Sequence, residues 1–126
     1  MVGAMAEFVF SLTLSFLLTH ELDAMRGREW RILPGFRSLS DQSGRDLFII
    51  LHLPLFAALL LFCWSSDQGT QEVARSVVAL FGIVHLGLHW LFRNRPGYDF
   101  GSVLSRALIL GYALTGIAYL AITQAV

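Results

Sequence analysis

Long apolar runs separated by short polar stretches set the pattern of this chain. Four runs, about residues 4–23, 47–64, 73–92 and 103–122, are predominantly apolar, and each approaches the roughly 20 residues that an α-helix needs to cross a bilayer. They predict an all-α, up-down-up-down four-helix bundle in a membrane, one domain over residues 1–126. The first run does not read as a cleavable signal peptide. No basic residue precedes it, Glu7 sits near its start, and charged residues follow it in place of a small-residue cleavage site. The longest polar connection, RGREWRILPGFRSLSDQSGRD, mixes Trp30, Ile32, Leu33 and Phe36 with its arginines, which suits a segment lying along the headgroup surface. The turn RNRPGYDFGS carries Pro96 and Gly97 as breakers, so the third and fourth helices should be antiparallel neighbours. On the fourth helix Ala107, Gly111 and Thr115 recur every four residues, a stripe that favours close helix packing.

Composition strengthens the membrane reading. The chain is 56% hydrophobic and 14% charged, and its mean hydropathy of +0.64 exceeds what a soluble domain needs to fill a core. Its neighbours are then membrane lipids. The single cysteine, Cys63, excludes an internal disulfide and a thiolate metal site. A formal net charge of zero without a basic patch gives no footprint for nucleic acid. All nine cationic side chains are arginine. With alternating spans, Arg26, Arg28, Arg31, Arg37, Arg45, Arg93 and Arg95 fall at one end of the bundle, with Arg106 just inside the fourth span, against Arg75 alone at the other. The positive-inside rule then places the arginine-rich end in the cytoplasm and both termini outside, in an inner (cytoplasmic) membrane.

The chemistry lies in the polar residues inside the spans. All four histidines, His20, His52, His85 and His89, fall within predicted helices, and ionisable groups in membrane helices are costly and mark functional sites. At about 1.5 Å of rise per residue, the four lie in a band roughly 5–10 Å below the arginine-rich surface. His85 and His89, four residues apart in HLGLH, project from one helix face, an arrangement that delivers two imidazoles to one metal. His20 and Asp23, three apart in THELDAM, share a face of the first helix, and His52 comes from the second, beside Pro54. The expected ligand set is therefore His20, Asp23, His52, His85 and His89, suited to zinc or non-haem iron with an open coordination position. Glu21, about 100° around the helix from His20, is the candidate general base or outer partner. Buried there, it needs a metal, arginine or histidine beside it. Arg45, Arg93 and Arg106 are cations able to hold an anionic headgroup.

HELDA is not the zinc-protease pattern HExxH, because Ala24 stands where the second histidine belongs. THELDAM, EWRILP, LHLPLF, HLGLHWLF and YDFGSVLS together resemble a family of small, uncharacterised bacterial four-helix membrane proteins with a His-Glu-Leu-Asp-Ala signature, distantly similar to HXXEE-type membrane domains. That resemblance covers nearly the whole chain. It implies the fold, marks Glu29, Trp30 and Arg31 alongside the histidines and acids above, and supplies no reaction. Three functions remain distinct: a metal-dependent enzyme acting on a lipid or other hydrophobic substrate, a haem-binding electron-transfer protein with His52 and His85 or His89 as axial ligands, and a non-catalytic accessory subunit. A homo-oligomer or a larger membrane complex is compatible with each.

Overall fold

The computed structural model describes residues 2–124, which form four long helices and one short 3₁₀ turn. The helices are α1 (Val2–Arg26), α2 (Asp41–Cys63), α3 (Gln68–Phe92) and α4 (Val103–Gln124), with the 3₁₀ turn at Glu29–Arg31. All four are long and apolar enough to cross a membrane. The up-down order brings the C-terminal ends of α1 and α3 together at the arginine-rich end. There Arg95 donates to the Ile32 carbonyl at 3.0 Å, and Arg26 reaches Asp99 at 3.2 Å. At the opposite end Arg75, buried in α3, donates to the Cys63 carbonyl at 2.9 Å, pairs with Glu7, and stacks over Phe10 and Trp64.

α2 and α3 begin several residues before the apolar runs that announced them, because polar caps extend each helix into its connection. Ser40 accepts from the Ser43 N–H at 3.1 Å, and Asp67 from the Thr70 N–H at 2.8 Å. Each satisfies a donor that a helix start leaves unpaired. Asp67 lies outside the apolar spans, and its bonds to Thr70 hold its carboxyl below the usual range. Pro54 lies within α2, which continues through it.

Packing separates three helices from the fourth. Buried positions on α1 include Phe10, Thr13, Leu17, His20 and Ala24; on α3, Arg75, Val78, Gly82, His85, His89 and Phe92; on α4, Ser105, Ile109, Tyr112, Gly116 and Tyr119. Each set steps alternately by three and four residues, the seam of helices packed at a shallow angle. α4 is the hub, lying extensively against both α1 and α3. Its approach to α3 is set by Gly116, where a Cβ would overlap the Ala79 carbonyl, and by Gly82, where a Cβ would come 3.0 Å from the Tyr112 carbonyl. Of the predicted small-residue stripe, Gly111 performs that service against Phe16 of α1. α2 has only Gly44, Phe48 and Cys63 buried and rests on α3 and the 3₁₀ turn.

Candidate metal centre

The seam arithmetic fixes the site. His20 of α1 and His85 and His89 of α3 occupy seam positions near the same end, so all three rings point into the bundle. The His20 ring lies 4.5 Å from that of His85 and 5.0 Å from that of His89, centroid to centroid, and His85 and His89 are 4.6 Å apart. Phe100, fully buried in the turn before α4, packs on His20 and His89 and closes the cluster from the connecting loops.

The fourth member is Glu29. α1 ends through Arg28 in the left-handed region, φ 53°, and the chain folds into the 3₁₀ turn. Flanking residues hold that turn in place. The Trp30 indole N–H and the Arg31 Nε donate to Asp41 Oδ1, at 3.0 and 2.7 Å, and Trp30 is buried against Gly44 at the start of α2. With Trp30 and Arg31 tied to α2, Glu29 is turned towards the bundle, its Oε2 lying 3.5 Å from His20 Nε2. One ligand atom from each of His20, Glu29, His85 and His89 can be chosen so that all lie within 4.8 Å of one another.

Hydrogen bonding within the cluster is incomplete. Both ring nitrogens of His20 and Nδ1 of His85 are buried with no hydrogen-bond partner among the described residues. Each buried polar group left in that state costs about 1–3 kcal/mol, so three of them concentrated in one cluster ask for a common partner. His89 Nδ1 lies 3.2 Å from the Tyr98 hydroxyl. With that nitrogen as donor, Nε2 keeps its lone pair, and Tyr98 orients the ring as outer partners of metal-bound histidines do. Burial raises the Tyr98 hydroxyl above its ordinary pKa, which keeps it a neutral phenol.

Two of the five expected ligands stand elsewhere. Asp23 does not join the imidazoles: Oδ1 accepts from Arg26 Nε at 2.7 Å, one turn on along α1. Arg26 continues to Asp99, and to Ser105 at 3.1 Å, locking α1 to the start of α4. Asp23 Oδ2 is buried without a hydrogen-bond partner among the described residues. His52 is removed from the cluster because α2 lies outside the three-helix seam and meets the opposite flank of α1. Its Nε2 lies 2.8 Å from Glu21 Oε2 and its Nδ1 2.6 Å from the Phe48 carbonyl. Glu21 thus has the histidine partner its burial requires, and stands beside the imidazole cluster, not in it. A carbonyl only accepts, so His52 Nδ1 carries a proton. The Glu21–His52 contact then holds one further proton, on either the imidazole or the carboxyl. An apolar groove of about 520 Å³ between α1 and α2, walled by Leu18, Leu22, Phe48 and Phe56, opens on this pair.

Glu29 had no ligand signal of its own in the sequence. It lies outside the four apolar spans, and the only cue was its place in the EWR string.

Geometry and composition define a small four-helix protein of membrane character with a buried His/Glu group compatible with metal binding. The chain belongs to the family described as "Family of unknown function (DUF6713)", whose model matches residues 6–126. No curated protein and no solved structure matches it.

Proposed function

We propose that the protein binds zinc or non-haem iron through His20, Glu29, His85 and His89, at the leaflet on its arginine-rich side, and uses the ion on a lipid or other hydrophobic substrate. The observation that carries this reading is the convergence of four ligand atoms within 4.8 Å of one another, three of them on buried imidazoles. Three histidines and a carboxylate suit either metal. A metal held there would supply Lewis-acid polarisation of a substrate oxygen. In this scheme the protein spans the cytoplasmic membrane with both termini outside, as the arginine distribution favours, and Glu21, with its His52 partner, holds a proton beside the site. Haem receives less support, because both ring nitrogens of His52 are engaged, one by Glu21 and one by Phe48.

Elemental analysis of detergent-purified protein without a histidine tag, beside the His85→Ala/His89→Ala variant, tests the site. Near-stoichiometric zinc or iron in the wild type and its loss in the folded variant are expected. Full metal content in the variant, or a folded wild type that takes up neither metal on reconstitution, would overturn the assignment.

A further inference from the structure

A second groove reaches the candidate centre from the other side of the bundle. It lies between α3 and α4 at the arginine-rich end, has a volume of about 300 Å³, and is lined by His89, Trp90, Arg93, Tyr98, Phe100 and Arg106 among others. Its charge is one-sided. Arg93 and Arg106 line it, no carboxylate does, and neither arginine has an ion-pair partner among the described residues. Of the other arginines at this end, Arg26 pairs with Asp23 and Asp99, Arg31 with Asp41 and Arg45 with Asp46, while Arg28, Arg37 and Arg95 lie outside the groove. Arg93 lies over the Trp90 ring, its guanidinium carbon 4.2 Å from the centroid, and donates to the Trp90 carbonyl. It is thus held at the rim by its own helix. Arg106 belongs to the first turn of α4, where the helix dipole adds positive potential. Apolar walls from Leu86, Ile109 and Leu110 continue the groove towards the bundle interior.

We propose that this groove binds a phosphate group, with Arg93 and Arg106 as its cationic clamp. Guanidinium groups match phosphate oxygens in bidentate geometry, and basic pockets between membrane helices on the cytoplasmic side are where anionic headgroups bind. Two sources share this chemistry: the phosphate monoester head of an anionic lipid, whose chains would lie along the apolar walls, and free phosphate. His89 lines both the groove and the metal centre, so an ester bound here sits next to the ligand set. The binding rests on the arginines and the groove alone. Only its significance as a substrate position rests on the metal reading.

The test is calorimetric titration of the purified protein, in an uncharged phosphate-free detergent, with dihexanoyl phosphatidic acid, with dihexanoylglycerol as its phosphate-free control, and with inorganic phosphate. Phosphatidic acid should bind saturably and dihexanoylglycerol should not. Arg93→Gln/Arg106→Gln should weaken binding about tenfold or more, the size expected for losing charge-assisted hydrogen bonds, while Arg37→Gln, which changes the charge outside the groove, leaves it unchanged. Inorganic phosphate that binds comparably and competes identifies the bare anion as sufficient. Binding of phosphatidic acid alone identifies the lipid headgroup. Either result supports the site. No saturable binding of either phosphate compound, or a folded double arginine variant that binds as wild type does, would overturn it. Metal content measured on the same samples separates the two readings, since wild type that holds its metal yet binds neither phosphate compound overturns only the phosphate site.

Discussion

Replacing His85 by leucine should reverse the sign of its effect on stability when metal is removed. His85 is 5% exposed, and its Nδ1 has no hydrogen-bond partner among the described residues. Leucine fills a comparable volume without a polar atom, and volume-conserving core exchanges usually cost less than about 1.5 kcal/mol. Relief of the unpaired nitrogen returns about 1–3 kcal/mol, so in metal-free protein the variant should be as stable as the wild type or more so. Metal changes the balance. A ligand present at about 1,000 times its dissociation constant stabilises the folded state by about 4 kcal/mol, and losing one of four ligands removes most of that. The holo wild type should therefore unfold at higher temperature than His85→Leu, and excess chelator should abolish or invert the order. Thermal unfolding followed by circular dichroism in detergent, with zinc or with chelator, reads both arms. Equal destabilisation of the variant in the two conditions would refute the reasoning, because it would make His85 a packing residue to which metal is irrelevant.

Glu29→Gln keeps the shape of the side chain and removes its charge, so metal affinity measured against a competing chelator should fall by at least the roughly 10- to 100-fold that outer-shell changes cause; unchanged affinity would exclude Glu29 as a ligand. Gly116→Leu should destabilise the bundle by about 1–3 kcal/mol through overpacking against the Ala79 backbone, read as a lowered unfolding temperature, whereas the same change at the exposed Gly87, where a Cβ meets nothing within 4 Å, should leave that temperature nearly unchanged. Asp67 has a folded pKa below its unfolded value, so its cap on α3 contributes fully above pH about 4 and is lost as the pH falls through its folded pKa. Wild type and Asp67→Ala should therefore converge in unfolding temperature on acidification, and a gap that persists at low pH would contradict the capping role.

Much of the architecture was legible because a bilayer imposes a coarse rule: four apolar runs of spanning length must be helices. The site was legible only in part. The three-and-four spacing could be counted for His20, His85 and His89, with the small residues Ala24 and Gly82 next to them in the step pattern. Depth alone drew His52 into the same set. Depth is one coordinate, whereas a ligand needs the azimuth as well. α2 is apolar on every side, with Leu53 72% and Leu61 67% exposed, and a helix without a distinct polar or small-residue stripe gives no azimuth to read. Asp23 failed for a local reason: Arg26, three residues on, competes for its carboxylate at closer range than the imidazoles do.

α1 thus carries two polar flanks. His20 faces α3 and α4, while Glu21, about 100° away around the helix, faces α2. Adjacent residues in HELDA therefore serve different surroundings, one an enclosed imidazole cluster and the other an apolar groove. Polar contacts attach α2 to both: Trp30 and Arg31 tie its start to the turn that aims Glu29, and His52 holds its middle to Glu21. A shift of α2 would therefore act on both flanks at once, through Glu29 on the imidazole cluster and through His52 on the carboxylate beside it.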